Sequence, residues 1–160
     1  MANIKSIVDE CLTIAEAFTS INSQTYNEIG AVNFEDNDKS YPFFLFDKRS
    51  VNFNVESYTR NGLPNRTLVT ADVYFYDTYD ESEKVAKNLQ TKQSELITIS
   101  NQFITELRTR NKSTDSVFSL NDITYKPIDE VHNDRLVEVA YTLEFLLSVD
   151  DCTLGTFNYA

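Results

Sequence analysis

The chain has 160 residues, of which 41% are apolar and 24% charged, and its 25 acidic against 14 basic side chains give a formal net charge of -11. This is the size and composition of one globular domain, 1–160, which can bury about 70% of its unfolded surface and needs no disulfide or metal staple. One His (His132), two Cys (Cys11 and Cys152), three Gly and no Trp argue against a histidine-rich metal centre, a zinc finger, a Ser-His-Asp triad and a Gly-rich phosphate loop.

Residues 3 to 21 predict an amphipathic helix. Ile4, Ile7, Val8, Cys11, Leu12, Ala15, Phe18 and Ile21 fall at helical spacing, with Lys5, Asp9, Glu10 and Glu16 on the other side. Tyr26 to Phe34 predicts a short strand with Ile29, Val32 and Phe34 as its apolar members, and the polar stretch 35–40 ends it. Tyr41 to Phe46 is a tight aromatic run with Pro42 near its start, where a strand tolerates proline. Asp47-Lys48-Arg49 predicts a turn. Val51, Phe53 and Val55 then alternate with polar residues as in a half-buried strand.

Arg60-Asn61-Gly62-Leu63-Pro64 is a strong turn signal, and the strands beside it predict a long hairpin. The second strand, Arg66 to Asp77, is partly apolar on both faces, which marks a central strand covered on at least one side. A long helix follows over about 80 to 110. Thr78-Tyr79-Asp80-Glu81 fits a capping box, and Val85, Leu89, Leu96, Ile99, Phe103 and Leu107 form its stripe. Val117 to Lys126 predicts a strand and Pro127 to Asp134 a polar loop. In Arg135 to Val149, Val137, Val139, Tyr141, Leu143, Phe145, Leu147 and Val149 alternate without a miss. The order lacks regular strand–helix alternation, so the expected class is α+β: a mainly antiparallel sheet with a long hairpin, and both helices packed on one face.

Little in this pattern points to catalysis. His132 sits among polar residues of a predicted loop with no nucleophile nearby in sequence. Asp36 and Asp38 begin something like a calcium loop, but Tyr41 stands where its Gly belongs and Asp47 where its Glu belongs. Asp77, Asp80, Glu81 and Glu83 are explained by the start of the long helix. Glu138 and Glu144 share a strand face about 20 Å apart, too far for a carboxylate pair; Glu138 with Asp72 or Glu56 across the sheet stays open. The two Cys are expected to be free thiols of a reducing cytoplasm. The N-terminus lacks the basic region and apolar core of a signal peptide, and no apolar run approaches the ~18 residues of a membrane span. No cofactor and no metal site is expected.

The sharpest anomaly is the run Phe43-Phe44-Leu45-Phe46, which puts apolar side chains on both faces of one strand. Either both faces are covered within the chain, or one meets a partner through Phe43, Phe44 and Phe46, with Phe53 on the next strand. The acidic balance disfavours specific binding of DNA or RNA and adsorption to an anionic membrane. An acidic wall can still line a passage for DNA, because repulsion keeps the polymer from sticking.

The N-terminal helix, the Tyr41-Pro42-Phe43 strand opening, the hairpin around Asn61-Gly62, the strand Tyr74-Phe75-Tyr76-Asp77 leading into a long helix, and two closing strands together resemble the tail-terminator and neck (head-tail joining) proteins of tailed bacteriophages. The resemblance is one of element order and covers about residues 20 to 150. It implies an α+β subunit made in the host cytoplasm and carried in the virion. Such subunits form a homo-oligomeric ring, usually a hexamer, that stops tail-tube growth and joins tail to head beside other tail and neck proteins. DNA passes through the lumen without specific binding, and catalysis plays no part. The hairpin tip, Arg60, Asn61, Gly62 and Leu63, then reaches a neighbour or the tube. Two rival readings are a cytoplasmic small-molecule or peptide-binding module with a pocket between sheet and helices, and a hydrolase working through carboxylates alone. Deleting Arg60 to Asn65 is expected to leave a folded monomer and weaken assembly; an oligomer unchanged by the deletion in light scattering counts against that role.

Overall fold

The computed structural model describes residues 4–28, 40–56, 66–78, 85–111, 118–126 and 136–147. The first helix, α1 (Ile4–Ala17), buries Ile7, Val8, Cys11, Ile14 and Ala15. It stops four residues short of the predicted end: the Phe18 N–H donates to the carbonyls of Ile14 and Ala15, and the Ile21 N–H to that of Phe18. Thr19 and Ser20, whose hydroxyls compete with helical hydrogen bonds, mark the break. Ile21 is buried all the same. Strand β1 (Ser23–Asn27) begins directly afterwards, three residues ahead of the predicted strand; Ile29, Val32 and Phe34 lie outside the described residues.

Strand β2 (Phe43–Asp47) opens just after the cis Tyr41–Pro42 bond. A single 3-10 turn (Lys48–Ser50) then leads into β3 (Asn52–Glu56). The remaining elements are β4 (Arg66–Thr78), α2 (Val85–Arg110), β5 (Phe118–Lys126) and β6 (Leu136–Leu147). The fold is α+β, as expected. Among the described residues six strands run in the order β1-β2-β4-β6-β5, with β3 also on β4. Only the β1–β2 pair is parallel; β2–β4, β3–β4, β4–β6 and β5–β6 are antiparallel. The long alternating strand is matched by its partner: β6 pairs with β4 over twelve residues, from Leu136–Thr78 to Leu147–Thr67.

Strands β2 and β3 lie end to end along one side of β4. Phe43–Phe46 face Tyr76–Val73, and Asn52–Glu56 face Thr70–Arg66. The 3-10 turn takes up the extra residues, 47–51 on this side against 71–72 of β4. Asp47 Oδ1 accepts the Arg49 N–H at 3.0 Å, and Ser50 Oγ donates to the Asp47 carbonyl at 2.7 Å. The Asp72 N–H, which falls in the gap of the ladder, donates to the same Ser50 Oγ at 2.7 Å. The insertion thus leaves no orphan donor at Asp72.

Both helices pack on one face. Ile14 and Cys11 of α1 and Leu96, Phe103 and Leu107 of α2 share one core with Phe44, Phe46, Val73, Phe75, Val139 and Phe145 of the sheet. The ring of Phe103 sits 4.9 Å from Phe44 and 5.3 Å from Phe75. One turn away, Ser100 Oγ, fully buried, lies 2.9 Å from the Tyr141 hydroxyl, and that hydroxyl also donates to Asn101 Oδ1. Arg110 ties the end of α2 to Glu10 of α1 and to its own Glu106. Cys11 is free and buried, and burial raises its thiol pKa, so it stays protonated and inert. Among the described residues no helix is long and apolar enough to cross a membrane. Replacing Phe103 with Ala is expected to cost about 3–5 kcal/mol in a denaturant titration, because two aromatic contacts and a filled volume go together; a loss under about 1 kcal/mol would mean that α2 is not seated by this ring.

Candidate interaction surface

The structure corrects the reading of the aromatic run as a surface. Phe43 is 3% exposed, Phe44 fully buried and Phe46 1% exposed within a single chain, so these side chains have none of their surface left for a partner. Phe44 and Phe46 point to the helix side. Phe43 and Leu45 point to the opposite face and share a second buried cluster with Tyr74, Tyr76 and Ala140, Tyr41 packing against it. The doubly apolar pattern therefore belongs to a strand covered on both faces. Phe53 is different. It lies on the helix side opposite Val69, beyond the helices, and is 54% exposed. Arg60, Asn61, Gly62 and Leu63 lie outside the described residues.

Two further exposed aromatics escaped the sequence reading. Tyr26 on β1 is 38% exposed and Tyr125 on β5 is 49% exposed. They occupy opposite edges of the sheet but the same rung. Tyr26 pairs with Phe46, Phe46 with Val73, Val73 with Tyr141 and Tyr141 with Tyr125. Each edge ring leans on the aromatic inside it, at 5.7 Å for Tyr26–Phe46 and 5.7 Å for Tyr125–Tyr141. Strand β1 shows no apolar alternation around Tyr26, and in β5 Tyr125 merely continues the alternation from Ile123; the rung exists only once the pairing is known.

The face opposite the helices changes character along β4. Toward Thr78 it is the aromatic cluster just described, with Tyr74 and Tyr76 stacked 6.0 Å apart. Toward Arg66 it turns polar. Asp72 accepts from Lys126 Nζ at 2.8 Å and from Thr142 Oγ1 at 2.6 Å. Lys126 also donates to the Tyr74 hydroxyl at 3.0 Å and lies over that ring. It reaches from β5 across β6 because the residue between is Ala140, whose small side chain leaves room. Register puts Asp47, Asp72, Asp122, Glu138 and Glu144 on this face against Lys126.

The arrangement is poorly suited to proton transfer. Its bonds to Asp72 and Tyr74 push the Lys126 pKa up, while burial, only partly offset by Lys126, raises that of Tyr74. One stays charged and the other neutral at physiological pH, so neither is poised as acid or base. Glu138 faces Tyr76 and Asp72 faces Thr142, four positions apart and about 13 Å, which answers the open question of a cross-sheet carboxylate pair. Among the described residues, no three His, Cys, Asp or Glu gather where they could hold a metal ion. A hollow on the outer face of α2 is lined by Gln90, Thr91, Ser94, Glu95 and Thr98. Ser94 and Thr98 donate back to the Gln90 and Ser94 carbonyls of their own helix, which leaves that wall few free donors.

Asp77 closes β4 on the helix side instead of starting a helix. It is 6% exposed, with Lys92 of α2 at 3.7 Å and the Thr78 N–H on its Oδ1. Burial raises its carboxyl pKa more than the bond from Thr78 and the charge of Lys92 lower it; at Lys92 the facing carboxylate raises the pKa.

Compared with known proteins, the chain matches no family model and no curated protein.

A carboxyl whose folded pKa lies above its unfolded value contributes stability at low pH that is lost as pH rises through the folded pKa. Wild type is therefore expected to gain melting temperature relative to Asp77→Asn as pH falls from 7 toward 4. A gap that moves the other way would show the Lys92 pair outweighing burial.

Proposed function

We propose that this protein is a structural subunit of a bacteriophage virion that assembles as a ring at the end of the tail, ends tube growth and joins tail to head. One observation carries the reading: both helices lie on one face of the sheet, and the polar half of the other face presents Asp72, Asp122 and Glu144 against Lys126. A face of that sign and openness suits the wall of a passage through which DNA slides, since phosphates are repelled from it. The element order, from N-terminal helix to the long β6, follows the pattern of the tail-terminator and neck proteins. A hexamer beside other tail and neck proteins is the assembly proposed, without catalysis.

The rival binding-module reading needs a pocket between sheet and helices. In the described residues that space is filled by Phe44, Phe75, Phe103 and Tyr141. The hollow lined by described residues lies outside that space, on α2.

Light scattering over a range of concentrations, with electron microscopy of any large species, tests the proposal. Rings, or monomers converting to rings as concentration rises, are expected. A monomer at every concentration that also fails to cap isolated tail tubes overturns it. The lumen assignment has its own readout. Wild type is expected to leave duplex DNA unretained at about 10 mM salt, and Asp122→Lys with Glu144→Lys to retain it, with an affinity that falls steeply as salt is added. Retention by wild type, or none by the double variant, argues that this face does not meet DNA.

A further inference from the structure

Among the described residues the sheet ends in two edges that fit one another. Strands β2, β3 and β6 run against β4; β1 follows β2, and β5, paired against β6, runs with β4. The two outermost strands, β1 and β5, therefore point in opposite directions. A second copy placed beside the first at the same height would set its β1 antiparallel to the first copy's β5, the geometry in which a ladder forms.

We infer that copies of this chain join edge to edge, the β1 edge of one subunit pairing with the β5 edge of the next, with Tyr26 and Tyr125 meeting across the joint. The inference rests on the ring reading above and names the contact that would build the ring.

At equal height, Thr25, Tyr26 and Asn27 of one copy face Lys126, Tyr125 and Thr124 of the next, because the two tyrosines already stand on one rung. Both are exposed, and each is backed by an inner ring at 5.7 Å. The joint thus continues a row of aromatics on the helix side from one subunit into the next, and aromatic cross-strand pairs are among the stronger ones.

The rest of β5 is built against pairing. Its ladder with β6 is interrupted by a bulge between Leu120 and Asp122, and Asp122 Oδ1 takes the Ile123 N–H at 2.8 Å. Bulges and charges of this kind protect an edge. They leave Thr124–Lys126 as the stretch suited to a partner, and that is the stretch level with β1.

Charge agrees. A chain of net charge -11 repels its own copies. Near the joint two carboxylates have cationic partners: Arg49 Nε holds Glu28 at 2.7 Å beside β1, and Lys126 holds Asp72 beside Tyr125. The contact is also of the head-to-tail type, using two different patches. Such contacts generate rings when the rotation closes.

Two variants of the full chain test the joint. In a Cys152→Ser background, where Cys11 stays buried, Tyr26→Cys with Tyr125→Cys is oxidised and run under denaturing conditions. A ladder of linked subunits is expected, and either Cys alone is expected to give no more than dimers. Separately, Tyr26→Lys or Tyr125→Asp is expected to raise the assembly concentration about tenfold. The double variant Tyr26→Lys/Tyr125→Asp, which sets opposite charges across every joint, is expected to restore it. All variants are compared at unchanged circular dichroism and melting temperature. Rings that form without a ladder and ignore the single charges overturn the joint and leave the ring reading standing. The absence of any oligomer in wild type, alone or on tail tubes, removes both.

Discussion

The contact on which the rest of the structure depends is the wedge of Phe103 into Phe44 and Phe75. Those two rings sit 5.2 Å apart on neighbouring strands, and Phe103 closes the triangle from α2. A ring has few ways to satisfy two such neighbours at once, so the triangle sets both the rotation and the height of α2 over the sheet. The Ser100–Tyr141 contact, one turn earlier, then acts as a check on register: it is a buried polar pair, costly to leave unmade, and it forms at one setting of the helix only. Helix α1 is placed in turn by what α2 and β2 leave open, and Arg110 pins its flank through Glu10.

Putting both helices on one side has a consequence for the other. Strands β2 and β4 are apolar on both faces near Thr78, so the second face cannot be wholly polar. It divides instead. Phe43, Leu45, Tyr74 and Tyr76 form one buried cluster at that end, and the polar residues begin at Asp72. Lys126 marks the seam, its stem and charge over the Tyr74 ring and its ammonium on Asp72. This is why the one lysine there serves as a structural cation. It balances a half-buried carboxylate and caps an aromatic cluster, and its raised pKa keeps it charged while doing so.

How much of this was legible in the sequence follows from how far each feature reaches along the chain. The alternation of β6, the stripe of α2 and the two-sided pattern of β4 are local, and each was placed to within a few residues of its described span. The class followed from their order. The start of β1 was not legible, because Ser23-Gln24-Thr25-Tyr26-Asn27 has no apolar alternation and is ordered by pairing with β2. The aromatic run was legible as an anomaly, but its meaning depended on what covers each face, which is tertiary information; burial settled Phe43, Phe44 and Phe46 in the chain's own interior and left Phe53 exposed. Tyr26 and Tyr125 are 99 residues apart in sequence and share a rung only through three intervening strands. Register, not composition, makes them a pair.

The proposed ring would give the acidity of the chain a physical role. A strongly charged subunit that must assemble needs surfaces where its own charge is silent, and a subunit that must let DNA pass needs one where it is not. Beside β1 Glu28 holds Arg49, and beside Tyr125 Asp72 holds Lys126, so these two carboxylates add little repulsion if two copies meet there. On the helix-free face Asp122 lies opposite Glu144 across the β5–β6 ladder, a like-charge pairing that costs stability and that folding alone gives no reason to keep. Asn121, by donating to Glu144, and the backbone, by giving the Ile123 N–H to Asp122, hold both carboxylates in place without neutralising either. Under the proposed ring, this uncompensated pair is the charge that would face the DNA, and the edge tyrosines are where two copies would meet.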